Sequence, residues 1–263
     1  MRDGDCQLES TLLRLLKNSA DKRDICKGSQ LHAHILKQGL LQRSPHIACS
    51  LINLFAKCGM LPKARHVLEE LPVRDVVSWS TLIAGYTGEE KFNEALNRYE
   101  EMQIEGIFPN AITFVCILKA CGIMCDIVTG NEIHCEITEK GLLRKDTCLG
   151  NALIDMYSKC GAIAETQDMF DKLRVHDGML WTTYIEHLES EDAIQCYEKM
   201  QNASVPPHNL TTFIFILKAC ANVGATIKGQ EIHAEIIKKG LDNELVLSNT
   251  LIYMYAKCSL LEE

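Results

Sequence analysis

No run of about eighteen apolar residues occurs anywhere in the 263-residue chain, so no segment reads as a membrane span. Proline and glycine are scarce, at 6 and 16, which suits helices joined by short turns. No C-x-x-C pair exists and the 13 cysteines are odd in number, which weakens both a disulfide framework and a zinc site. Five of them repeat in phase, Cys58, Cys160 and Cys258 in one step and Cys121 and Cys220 in another, as small buried hydrophobes would in a reducing compartment. No glycine-rich phosphate loop, Ser/His/Asp arrangement or catalytic carboxylate pair stands out. The expectation is therefore no enzyme, no catalytic residue, no metal, no cofactor and no small-molecule substrate. Positive charge is also in deficit. Lys and Arg number 27 against 35 Asp and Glu, a net charge of −8, which argues against a nonspecific phosphate binder but leaves room for a local basic groove. The opening MRDGDCQLES is neither a signal peptide nor an Arg-rich transit peptide. It points to a cytosolic chain or to one lacking its true N-terminus.

Hydrophobic residues make up 47%, enough for a packed core. They are arranged in copies. NALIDMYSKCGAIAE at Asn151–Glu165 is matched by CSLINLFAKCGMLPK at Cys49–Lys63 and by NTLIYMYAKCSLLEE at Asn249–Glu263. Self-similarity at a spacing of 102 and then 98 residues marks a repeat architecture.

Aligning the copies divides the chain after a tail at 1–8. Long hairpins fall at 9–44, 111–146 and 210–244, and short ones at 45–75 and 147–177. A hairpin of middle length falls at 76–110, and 178–209 is its counterpart with three residues missing. The last unit, 245–263, is a short type that stops midway through Leu260–Glu263, as a fragment of a longer array would. Within a unit, Leu149, Leu153, Met156, Tyr157 and Cys160 recur at helical intervals. Gly59, Gly88 and Gly161 supply the turns. The second helix sets a small residue four before a large one, in Ala64/Leu68, Ala95/Tyr99 and Ala193/Tyr197, and Pro109 or Pro206–Pro207 closes the hairpin. One hairpin cannot bury its own apolar faces, so the expected fold is all-α, an α-solenoid (a right-handed superhelix) of stacked helix-turn-helix repeats.

Three phrases in this order carry a resemblance: VVSWSTLIAGYTGEEKFNEALNRYEEMQIEGIFPN, AITFVCILKACG with GNEIHCEITEKGL, and NALIDMYSKCG. Together they resemble the P, L and S motifs of plant pentatricopeptide repeat proteins of the PLS class. The resemblance covers about residues 9–263. Tetratricopeptide repeats share the hairpin but favour W-x-x-L-G-x-x-Y, which is absent here.

The resemblance implies a sequence-specific single-stranded RNA-binding adaptor in mitochondria or chloroplasts, selecting sites for C-to-U editing, with a deaminase or editing cofactor protein as a further partner and no membrane contact. One repeat then faces one unstacked base. The fifth residue of the first helix and the last residue of the unit specify that base, and the second residue packs on its face. The resemblance carries these roles to Ser80 and Asn110 with Val77, and to Thr182 and Asn209 with Met179, both for adenine. It carries them to Asn151 and Asp177 for uracil, and to Asn249 for a pyrimidine. The implied readout is A-x-U-A-x-pyrimidine from the Ser80 unit onward. The 45–75 unit departs from the pattern, with Cys49 at the fifth position although Asp75 fits. The long units place Leu13, Val115 and Ile214 there, and an aliphatic side chain cannot hydrogen-bond a base edge, so they read as spacers. Lys57, Lys159 and Lys257 recur at one phase, either as a basic stripe or as cations favoured at helix C-termini.

Two features invite other readings. His233-Ala234-Glu235 and His134-Cys135-Glu136 match half of a zinc deaminase signature, with His32 in the same phase, but the P-C-x-x-C half is missing and amphipathic packing accounts for them. His187-x-Glu189, at the three-residue deletion, is equally unsupported. Trp79 and Trp181 sit at the fourth position, beside the reading residue but around the helix from it, where core packing with a satisfied indole N–H is expected. The rival functions are a protein-interaction scaffold without RNA binding and a non-functional truncated product.

Overall fold

Six short polar side chains at the unit ends mark where six of the helices begin. Ser44, Asp75, Asn110, Asp146, Asp177 and Asn209 each stand in extended backbone and accept a hydrogen bond from a backbone N–H of the following turn. The acceptances run from 2.8 Å at Ser78 and Leu180 to 3.4 Å at Ile47. Each such cap satisfies an orphan donor and contributes about 1 kcal/mol. All six are the last residues of the units read from sequence.

The computed structural model describes residues 2–144, 146–173, 175–207 and 209–258. In chain order the helices pair as α1 (Arg2–Asp21) with α2 (Ile25–Lys37), α3 (Pro45–Lys57) with α4 (Leu61–Glu69), and α5 (Val76–Gly88) with α6 (Phe92–Ile104). Then come α7 (Ala111–Met124), α8 (Ile127–Glu139), α9 (Thr147–Lys159), α10 (Ile163–Lys172), α11 (Gly178–Glu186), α12 (Ser190–Asn202), α13 (Leu210–Val223), α14 (Thr226–Lys238) and α15 (Leu245–Lys257). Among the described residues there are no strands, and one short 3₁₀ turn spans Leu142–Arg144. No helix is long and apolar enough to cross a membrane among the described residues.

The chain forms two compact units, residues 1–133 and 134–263. In the first, α1, α3, α5 and α7 pack in succession as one layer, and α2, α4 and α6 lie against them as a second. In the second, α9, α11, α13 and α15 form the inner succession, with α10, α12 and α14 alongside. Within each unit the architecture is that of an α-solenoid.

The core follows the helical spacing. Leu149, Leu153 and Met156 are fully buried, and each small/large pair of the second helices is sealed, from Ala64 and Leu68 to Ala193 and Tyr197. Burying each large apolar side chain contributes about 1.5–3 kcal/mol. Gly85 lets α5 close onto α3, since a Cβ there would lie 2.5 Å from the Cβ of Ala56.

Two expectations need correction. Residues 2–8, read as a tail, belong to α1. Gly59 and Gly161 do take the left-handed turn (φ 71° and 72°), but Gly88 ends α5, and Glu90 bears the left-handed conformation at φ 58°. The helix runs one turn-residue further than glycine placement suggests, because Lys91 N still closes a bond to Tyr86 O. The Leu260–Glu263 end of the last short unit lies outside the described residues.

Candidate nucleic-acid interface

Residues two, five and nine of a first helix share one face, three or four positions apart. On that face the second residue is open. Val77 is 50% exposed, Met179 39% and Val246 59%. The fifth residue is not uniformly open. Ser80, Asn151 and Thr182 are buried, at 2%, 5% and 7% exposure, and of the four only Asn249 is exposed. The fifth-position side chain that one base per repeat calls for is therefore open to solvent only at Asn249 and sealed in the helix layer at the other three.

At Thr182 the cause is the seam between successive first helices. Thr182 Oγ1 donates to Gly178 O at 2.7 Å and lies 2.7 Å from Thr212 Oγ1 of α13. Ser80 Oγ donates to Val77 O at 3.1 Å. Asn151 differs, for its Oδ1 is buried with no hydrogen-bond partner among the described residues. A buried acceptor left unpaired costs about 1–3 kcal/mol, so this amide has the most to gain from a ligand. Cys49, at the fifth position of α3, is half-buried. Burial and the Asp75 carboxylate together push its thiol up to about 11, so it is a neutral group beside the last residue of its own unit.

The last residues of the units are the helix caps already described. Asn110 Oδ1 accepts from Thr113 N and Thr113 Oγ1, at 2.9 and 3.0 Å. Asp177 accepts from Leu180 N, Asp75 forms a reciprocal capping box with Ser78, and Asn209 accepts from Thr211 N at 2.9 Å. Capping uses one oxygen of each and leaves the remaining polar atoms for another contact. Sequence reasoning assigned these Asp and Asn residues to bases alone. Their phase, immediately before each first helix, was the signal of the second role.

Lys57, Lys159 and Lys257 are each the last residue of their helix. Lys57 Nζ is 3.0 Å from Asp21 and Lys159 Nζ is 2.7 Å from Asp155. Two of the three are thus tied to carboxylates rather than forming an open stripe.

Charge is nonetheless segregated. From α3 onward the first helices carry five lysines and only Asp155 and Glu186 as acids. From α4 onward the second helices carry fifteen acidic against seven basic residues. The acidic surplus therefore resides in the second-helix layer. The net charge of the whole chain says little about the first-helix layer, where the short Debye length isolates local groups.

The motif histidines sit at helix seams. His134 Nδ1 and His233 Nδ1 each lie 2.8 Å from a tyrosine hydroxyl, of Tyr157 and Tyr255, and His32 Nε2 lies 3.4 Å from Glu70. His187 Nε2 is 3.3 Å from Asp155. Among the described residues no group of three His, Cys, Asp or Glu side chains is placed to hold a metal. Trp79 and Trp181 are 3% and 7% exposed. Trp79 Nε1 donates to Glu105 at 3.1 Å, but Trp181 Nε1 finds no partner among the described residues, contrary to expectation.

Comparison with known proteins agrees with the repeat architecture. The PPR repeat family model matches residues 74–122, and the PPR repeat model matches 48–76 and 151–177. A mitochondrial pentatricopeptide repeat-containing protein of Arabidopsis thaliana is 32% identical over 301 residues, all of this chain and 44% of its own length. A chloroplastic one from the same plant is 30% identical over 254 residues, 95% of this chain and 40% of its own. The chain thus spans less than half the length of these curated relatives. The crystal structure of the pentatricopeptide repeat protein PPR10 in complex with an 18-nt psaJ RNA element superposes with a TM-score of 0.71 at 14% identity, over 89% of this chain and 35% of that one. That likeness establishes the fold. With repeat models matched in both compact units and relatives of one kind along its whole length, the chain belongs to the pentatricopeptide repeat family.

Proposed function

We propose that this chain is a single-stranded RNA-binding adaptor of the PLS class, part of a longer array, acting on transcripts in mitochondria or chloroplasts. The observation that carries this reading is one pairing repeated on the first helices. An exposed apolar residue stands three positions before a polar one in Val77/Ser80, Met179/Thr182 and Val246/Asn249. That combination sets an apolar surface for a base face beside a polar group for its edge, the polar group open at Asn249 and buried at Ser80 and Thr182, each good position contributing about 1–3 kcal/mol. The relatives' mitochondrial and chloroplastic names and the RNA-bound PPR10 structure support the same class of partner and compartment. Site selection for C-to-U editing is the role we favour, with the chemistry supplied by a deaminase outside this chain.

In this reading Ser80 with Asn110, Thr182 with Asn209, Asn151 with Asp177, and Asn249 select the sequence A-x-U-A-x-pyrimidine. Base edges reach the buried side chains at the seams between first helices. Asn151, with its unpartnered oxygen, is the position expected to respond most strongly to substitution.

The test is binding of the purified chain to RNA carrying ACUACU and to a scrambled RNA of the same composition. Tighter binding to the first is expected, and Asn151→Thr should move the preference at the third base from uracil toward guanine. Equal affinity for both RNAs would remove the sequence-reading claim.

A further inference from the structure

The long hairpins have aliphatic fifth residues and so nothing to offer a base edge, yet each carries a lysine one turn further along the same face. Lys17, Lys119 and Lys218 follow Leu13, Val115 and Ile214 by four positions. All three are exposed, and among the described residues none has a carboxylate within ion-pair distance. Lys57 and Lys159, by contrast, are held by Asp21 and Asp155.

At one of the three, the surroundings make the purpose legible. Lys218 of α13 lines a concavity of about 240 Å³ together with Val246, Asn249, Thr250 and Tyr253 of α15. Tyr253 is 44% exposed. The concavity thus gathers a cation, an aromatic face, an apolar face and an amide, the set of groups that suits a phosphate, a base face and a base edge. It also lies in the first-helix layer, which the acidic second helices leave short of negative charge.

We propose that the ninth-position lysine of each long hairpin binds an RNA phosphate. The hairpins that cannot read a base would then anchor the backbone beside hairpins that do. This deepens the RNA-binding reading above and rests on it. A single-strand phosphate contact adds about 0.7 to the slope of log affinity against log salt, so three lysines account for a slope of about 2. Because phosphates are the same in every sequence, their loss weakens all RNAs alike.

The experiment compares the full chain with a Lys17→Gln/Lys119→Gln/Lys218→Gln variant. A control, Lys27→Gln/Lys37→Gln/Lys238→Gln, removes equal charge from exposed second-helix positions. Affinities for the ACUACU RNA and its scrambled partner are measured across a salt series, with helicity checked by circular dichroism. The first variant should lose about 2 units of slope on both RNAs while keeping its preference between them, and the control should keep the wild-type slope. Wild-type slope in the first variant, or a loss confined to the ACUACU RNA, overturns the phosphate assignment while RNA binding stands. Equal loss of slope in the control overturns it too, reducing the effect to net charge. Absence of RNA binding by the unmodified chain overturns both readings.

Discussion

The hairpins at 76–110 and 178–209 share one design, and the second is three residues shorter. Helix α5 has 13 residues and α11 has 9, whereas α6 and α12 both have 13. The connection between the helices is the same length in both, and the segment after α12 is one residue longer than that after α6. The shortening therefore removes the last turn of the first helix and gives one residue back to the exit loop. The first two turns, which hold Val77 and Ser80 or Met179 and Thr182, are untouched. The cost appears at the exit. Glu105, the residue after α6, accepts from Trp79 Nε1, but the residue after α12 is Ala203 and Trp181 Nε1 is left unpaired. Next to it, Gly106 at φ 73° is replaced by Ser204 at φ 56°. The comparison teaches that the reading positions and the exit loop are separable, and that the second hairpin carries two removable defects.

The largest effect tests what the hairpins share. Trp181 packs edge-on against Phe170, with ring centroids 4.9 Å apart. Trp79→Ala and Trp181→Ala should each lower stability by about 3–5 kcal/mol, read as a shift in the urea midpoint. A small effect at Trp181 alone would mean that the shortened hairpin is already loosely packed. The next largest tests the backbone. Gly106→Ala should cost about 1–2 kcal/mol from its left-handed φ alone, because no atom lies within 4 Å of the new Cβ. Ser204→Gly should gain about 1 kcal/mol for the converse reason. Third, Ala203→Glu should supply the missing acceptor and raise stability by about 1 kcal/mol. The gain should vanish in a Trp181→Phe background. A double-mutant cycle with no coupling would show that the new carboxylate does not reach the indole.

Much of this was legible beforehand, and the failures have physical causes. Apolar spacing located the helices because burial on one face is what stabilises them. The unit boundaries fell at the starts of α3, α5, α7, α9, α11 and α13, but the capping role of the six unit-end residues went unread because they were assigned to bases. The sequence placed the shortening at His187-x-Glu189, beside the end of α11, but not its form, since an alignment counts residues and cannot tell a lost helical turn from a shortened loop. Nor was the burial of Thr182 legible, since it depends on how closely the next first helix approaches. Thr212, at the third position of its helix, is what covers Thr182, and no pattern within one repeat reveals a contact made by the next. The Gly88 turn failed because glycine permits a left-handed conformation without requiring it. Glu90 adopts that conformation because the exit hydrogen bonds fix the register there.

The smallest effect concerns the new end that shortening gives α11. Its C-cap is His187, where α5 has Glu89, and His187 Nε2 reaches Asp155 of α9 at 3.3 Å while Lys159 approaches the other oxygen at 2.7 Å. In the first unit the corresponding ninth residue of α3 is the exposed Asn53, so no such tie exists there. Burial by itself would raise the Asp155 carboxyl, but the hydrogen bonds to His187 and Lys159 outweigh it and hold the group below its ordinary value of 3.8. A carboxyl depressed on folding adds stability that is complete above its unfolded value and is lost as pH falls through its folded one. The urea midpoints of the wild type and Asp155→Asn should therefore differ by a constant amount above about pH 5, equivalent to about 0.5–1 kcal/mol. The gap should narrow below about pH 4 and close on further acidification. A gap that persists unchanged at low pH would mean that Asp155 acts through shape and neutral hydrogen bonding, and that the tie does not compensate electrostatically for the missing turn.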